Sequence, residues 1–161
     1  MSKITSHNST VNIVLRDVTD TDLPVFFRHQ QDTDAVYMAA FTAKDPTDRD
    51  AFNAHWEKTR NDKNIIIKTI LYDNNVAGHI ASFEMFGNKE VTYWIDKQYW
   101  GNSIATNSLA AFINNHENTR PLFAHTAKDN KASFRVLTKC GFKFVREEKG
   151  FANARNEEIT E

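Results

Sequence analysis

Cysteine is nearly absent: Cys140 is the only one in 161 residues, so no disulfide can form within the chain. Long apolar runs are absent too, and none approaches the ~20 residues that span a bilayer. Neither sign of charge dominates. Twenty Lys and Arg stand against 21 Asp and Glu, a formal net charge of -1, so the basic excess that would draw nucleic acid or an anionic membrane is missing. The polar opening, residues 1–10, lacks the apolar core of a signal peptide. There is no internal repeat, linker or low-complexity stretch. These absences point to a soluble cytoplasmic protein, monomer or homodimer, without nucleic-acid or membrane partners. They also point to one domain, residues 1–161, with residues 1–10 as a polar leader.

What is present is globular: 40% hydrophobic and 25% charged residues, with twelve Phe for a core. Ile13 and Leu15 alternate with Val14 and Arg16 in a first strand over residues 12–18. The residues Thr19, Asp20, Thr21 and Asp22, followed by Pro24, open a helix. A short helix is expected over 34–40. Thr47 and Asp50 read as a capping pair for a helix that carries Phe52 and Trp56 to about residue 60. Residues 65–72, 76–86 and 90–96 read as three strands joined by tight turns, with Gly78 at a bulge. A helix to His116 follows, then a strand over 121–126, a helix over 130–140 ended by Gly141, a strand over 142–147 and a last one from 156. The order predicts an α+β protein: a mixed, mostly antiparallel sheet flanked by helices on both faces.

Between the third strand of the meander and the next helix lies Trp100-Gly101-Asn102-Ser103-Ile104-Ala105-Thr106. Small residues let a ligand approach the backbone, and the first turn of a helix offers free N–H groups to an anion. Upstream stands Tyr93-Trp94-Ile95-Asp96; downstream stands Asn130-Lys131-Ala132-Ser133, an apolar pair Val136-Leu137, and Gly141-Phe142. The two motifs, in this order, resemble the GCN5-related N-acetyltransferase (GNAT) superfamily, and within it the RimJ/RimL-like branch. In the register that keeps Ile104, Ala105, Thr106 and Leu109 in phase, Trp100 replaces the family's Gln or Arg and Ser103 replaces its first glycine. A left-handed backbone at Ser103 would be strained, whereas a right-handed one would tolerate the side chain.

The resemblance implies a GNAT-like acyl-CoA N-acyltransferase fold and an acetyl-CoA-dependent N-acetyltransferase acting on a primary amine of a small molecule or a protein N-terminus. It implies that the backbone of Tyr93, Trp94 and Ile95 pairs with the pantetheine arm, and that amides of Gly101, Asn102, Ser103, Ile104, Ala105 and Thr106 hold the pyrophosphate. Asn130 either caps its helix or bonds the pantetheine. Ser133 either serves the departing thiolate or is a small helix residue; the position where other branches carry a tyrosine acid is Leu137. For the base that takes the amine's proton, His125, Glu90 and Glu84 compete, and a base working through water is a fourth option. Phe41, Trp56 and Phe86 are candidate walls of the acceptor pocket. The histidines show no metal-ligand spacing, so no metal is expected. Direct transfer needs no acyl-enzyme, so Cys140 reads as a buried thiol. Two other classes remain: a non-catalytic acyl-CoA-binding module, and a phosphate-binding α/β enzyme that uses another nucleotide.

Overall fold

Alternating runs and tight turns place the strands. The computed structural model describes residues 12–161; the polar leader lies outside them. Strand β1 (Ile13–Asp17) is followed by helices α1 (Asp22–His29), α2 (Thr33–Ala39) and α3 (Arg49–Asn61). Then come β2 (Ile66–Tyr72), β3 (Asn75–Met85) and β4 (Asn88–Ile95), which form an antiparallel sheet in the order β1-β2-β3-β4. The β2–β3 turn puts Asp73 and Asn74 at φ 48 and 68, the left-handed pair that a two-residue hairpin demands. Helix α4 (Ile104–Asn115), helix α5 (Lys131–Lys139) and a hairpin of β5 (Lys149–Ala152) and β6 (Glu157–Thr160) complete the chain. Among the described residues no helix is long and apolar enough to cross a membrane.

The period-2 alternation assigns each strand residue to a face. Ile70, Ile80, Val91 and Ile95 pack with Ile104, Leu109 and Phe112 of α4 and Leu137 of α5. On the other face Ile67 meets Phe26 of α1 with Phe52 and Trp56 of α3. Helices therefore cover both faces, as the periodicities require. On the α1 side a carboxylate ties the layers together. Asp22 accepts two bonds from the Arg16 guanidinium (2.6 and 2.9 Å), one from the Thr19 amide (2.9 Å) and one from the Thr69 hydroxyl (2.7 Å). His79 is packed between Phe26 and Trp56, with ring centroids 4.8 and 5.0 Å away, and burial pushes its pKa down to about 3.

Three expectations need correction. The cap of α3 is Asp48, whose carboxylate accepts from the Ala51 amide, and not the Thr47–Asp50 pair. Residues 121–126 make a single parallel bridge, Glu90 with Phe123, and then part from β4. Residues 142–147 form no strand. Phe142 packs on the core, but Phe144 and Val145 beyond it are each 66% exposed, so the rest of the segment has no covered face to set a register. Pairing begins one residue later, where Glu148 and Glu161 exchange backbone bonds of 3.0 and 2.8 Å. The bulge at Gly78 is present: Ile70 pairs with Gly78 but Leu71 with Val76.

Candidate active site

The site begins where β4 loses its neighbour. Val91 N–H donates to the Phe123 carbonyl (2.9 Å) and Phe123 N–H to the Lys89 carbonyl (2.9 Å). Phe123 and the residues after it make no further ladder with β4 among the described residues. Backbone groups alternate along a strand, so those of Tyr93 and Ile95 point the same way as those of Val91, into the gap. Trp94 pairs with His79 instead, and its carbonyl lies against Gly78, where a Cβ would come within 1.9 Å of it. Of the three residues expected to meet the pantetheine, Tyr93 and Ile95 therefore carry the outward-facing groups. The Ile95 carbonyl already accepts from the Trp100 indole Nε1–H (2.9 Å).

Past Ile95, the Asp96 carboxylate caps a single 3-10 turn, Lys97–Tyr99, and its Oδ2 lies 3.3 Å from His29 Nε2. Two left-handed residues follow, Gly101 at φ 83 and Ser103 at φ 61. Ser103 is the N-cap of α4 and makes no side-chain cap bond. The first ladder bond of α4 runs from Asn107 N–H to the Ser103 carbonyl (3.0 Å). The amides of Ile104, Ala105 and Thr106 precede that ladder and have no acceptor within the helix. Of the two backbones considered for Ser103, the structure has the strained left-handed one. An L-residue here costs about 1–2 kcal/mol. These outward N–H groups, at the positive end of a twelve-residue helix, suit a pyrophosphate.

Helix α5 faces the same gap. Asn130 is its N-cap: Oδ1 accepts from Ser133 N–H (3.2 Å), while Nδ2 donates to the Met38 carbonyl of α2 (3.3 Å). Ser133 Oγ lies 2.8 Å from the Tyr93 hydroxyl, a contact that sequence reasoning missed because β4 was read through its backbone alone. Gly141, at φ 93, closes α5 with bonds from Gly141 N–H to Thr138 O and Phe142 N–H to Leu137 O. Cys140 is half-buried, its thiol pushed up by burial and aimed at the Thr106 carbonyl (3.5 Å).

Two of the base candidates meet. Glu90, 5% exposed, presents Oε2 to His125 Nε2 at 3.3 Å, and His125 Nδ1 lies 3.4 Å from Glu161 Oε1. Burial raises the Glu90 pKa and the His125 charge opposes it, while Glu161 and Glu148 add to the rise. Ligating atoms of His125, Glu148 and Glu161 all lie within 4.8 Å of one another. Glu84 is not part of this group: it is exposed and pairs with Lys89 on the opposite face of the hairpin. Of the expected walls, only Phe41 borders the cluster, its ring 3.2 Å from the place a Cβ would occupy on Gly150, where Glu161 Oε1 also lies at 3.5 Å. Trp56 is core, and Phe86 stands 95% exposed at a hairpin tip.

Comparison with known proteins gives the family and the fold. No curated protein matches the sequence. Among the solved structures that share the fold are three acetyltransferases. RimL, a ribosomal L7/L12 alpha-N-protein acetyltransferase solved with coenzyme A, superposes with TM-score 0.76 at 18% identity, covering 94% of this chain and 92% of its own. Spermidine N-acetyltransferase from Vibrio cholerae, solved with CoA and spermine, gives 0.76 at 17%, with 92% of each chain covered. The microcin C7 self-immunity acetyltransferase MccE, solved with acetyl-CoA and AMP, gives 0.73 at 15%, covering 92% and 88%. Residues 12–143 match the family described as acetyltransferase (GNAT) domain, so the chain belongs to the GNAT acetyltransferases, enzymes that take their acetyl group from acetyl-CoA.

Proposed function

We propose that the protein moves the acetyl group of acetyl-CoA directly onto a primary amine, carried by a small molecule or by a protein N-terminus, in the cytoplasm. The observation that carries this reading is the abrupt end of β4's pairing at Glu90 and Phe123. It leaves the outward backbone groups of Tyr93 and Ile95 between a helix N-terminus and the Glu90–His125 pair. An extended amide-bearing arm can add to such an edge as a strand would. The Ile95 N–H faces the same gap and is suited to an oxyanion.

Transfer needs a neutral amine, because an ammonium has no lone pair. In this reading the amine's proton passes to His125 Nε2, which shares it with Glu90 Oε2 3.3 Å away, while Glu161 Oε1, 3.4 Å from Nδ1, steadies the imidazolium. The nitrogen then attacks the thioester carbonyl, the C–N bond forms and the C–S bond breaks. Glu90, Glu148 and Glu161 around His125 make the entrance acidic, which favours an acceptor that arrives as a cation.

The test is thiol release from acetyl-CoA against a panel of N-terminal peptides, polyamines, amino sugars and amino acids. Turnover with one amine class is expected. His125→Ala should remove the acidic limb of the pH–rate profile, and an unchanged limb excludes it as the base. Tight CoA binding with no turnover on any amine would instead favour a non-catalytic module. Heat protection by ATP or NAD, but not by CoA, would overturn the reading altogether.

A further inference from the structure

The hydroxyl of Tyr93 has no part in a scheme that uses β4 only as an edge. It is half-buried and reaches across from β4 to α5, where Ser133 Oγ lies 2.8 Å away. We propose that Tyr93 is a positioning residue for the acetyl transfer: its hydroxyl donates to Ser133 Oγ and so turns the Ser133 hydrogen into the cleft, toward the departing sulfur. This rests on the acetyltransferase reading above and on the thiolate-serving role that the family resemblance implies for Ser133.

The direction of the bond follows from what else is within reach. Among the described residues Tyr93 Oη has no other hydrogen-bond partner than Ser133. Were Ser133 the donor, the phenol proton would be left without an acceptor in a half-buried site, which costs about 1–3 kcal/mol. With Tyr93 as donor, one lone pair of Ser133 Oγ is filled and its own hydrogen is free. Burial raises the Tyr93 pKa, so the phenol keeps its proton throughout the neutral range. The backbone of Ser133 is fixed separately, by the 3.2 Å bond of its amide to Asn130 Oδ1. That leaves the hydroxyl of Ser133 free to turn, and the bond from Tyr93 restricts it by closing the direction toward the phenol. A hydroxyl that already accepts a bond is also a stronger donor.

The balance of the step is simple. No proton passes between Tyr93 and Ser133. As the C–S bond breaks, its electron pair goes to sulfur, and the Ser133 O–H bonds that thiolate. The proton that the amine gave to the base returns to sulfur through solvent. Tyr93 and Ser133 touch opposite ends of one hydrogen-bond chain, and only Ser133 meets the substrate.

Steady-state kinetics on the full chain test this with Tyr93→Phe, Ser133→Ala and the double variant. Tyr93→Phe keeps the ring in the core and is expected to melt cooperatively within about 5 °C of the parent. It should lower kcat about tenfold, the worth of about one hydrogen bond, while the KM for acetyl-CoA stays within about twofold. In the Ser133→Ala background Tyr93→Phe should have no further effect. Three results overturn the proposal: an unchanged kcat, the same loss in both backgrounds, or a rise in KM without a fall in kcat. A Tyr93→Phe chain that no longer melts cooperatively also overturns it, because the hydroxyl would then be structural. An inactive parent chain refutes the acetyltransferase reading itself, and this inference with it; an active parent with an indifferent Tyr93→Phe refutes the inference alone.

Discussion

Replacing Ser103 with glycine should make the protein more stable. Ser103 sits at φ 61, ψ 16 as the N-cap of α4, and its side chain makes no cap bond. The left-handed region costs a residue with a Cβ about 1–2 kcal/mol, and glycine almost nothing. Against this, glycine gains freedom in the unfolded chain worth about 0.4–1 kcal/mol. The net expectation is a gain of about 0.5–1 kcal/mol, which for a chain of this size is a rise in Tm of about 1–4 °C. The contacts of the Ser103 carbonyl with Asn107 N–H (3.0 Å) and Asn107 Nδ2 (2.8 Å) belong to the backbone and survive. Ser103→Ala isolates the hydroxyl and should be neutral within about 0.5 kcal/mol, because no cap bond is lost. Ser103→Val adds a branched Cβ to the same conformation and should cost about a further 1 kcal/mol. Urea unfolding of the three variants with a common m-value makes the comparison. If Ser103→Gly were neutral or destabilising while Ser103→Ala was destabilising, the strain argument would fail and the hydroxyl would have to be bonded.

Two further substitutions probe the frame around the site. Gly78→Ala would place a methyl group 1.9 Å from the Trp94 carbonyl, so β3 and β4 must part; a loss of at least about 3 kcal/mol is expected in urea unfolding, and a loss under 1 kcal/mol would mean the strands separate easily. Asp22→Asn should cost about 3 kcal/mol, because Arg16 and Thr69 lose a charged acceptor. Burial pushes the Asp22 carboxyl up, but Arg16, the Thr19 amide and Thr69 together hold its pKa down at about 2. Its contribution is therefore complete above the ordinary value of 3.8 and drains as pH falls toward about 2. The gap between parent and Asp22→Asn should narrow over that range, and a gap that widened in acid would reverse the assignment.

The meander, the helices and the turn at Ser103 were legible because their signals are local. Alternation, Asp73-Asn74 in a two-residue turn, and Gly141 after an apolar pair each act within a few residues. The segment over residues 142–147 misled for the converse reason. Phe142, Phe144 and Val145 have strand composition, but a strand also needs a partner and a covered face, and neither is written locally. Glu90 and His125 were each singled out from sequence, yet their contact was not: it depends on the chain from α4 returning beside β4 for a single bridge. Tyr93 and Ser133 lie forty positions apart and meet only because α5 packs over the same strand. The C-terminal hairpin was half read. Its second strand was expected from residue 156, whereas its first, Lys149–Ala152, is only four residues long and is held by pairing with the second.

The bond from Trp100 Nε1–H to the Ile95 carbonyl gives the open edge of β4 a punctuation mark. Without it the edge would present donor, acceptor, donor, acceptor from Tyr93 through Ile95, and an extended ligand could slide along that repeat as a strand slips register. With one lone pair of that last carbonyl engaged, its capacity to accept from a ligand is reduced. A ligand arm that answers acceptor, donor, acceptor from Tyr93 onward is then favoured over a shifted one. The indole would in this way act as an end stop for any ligand arm laid along the strand.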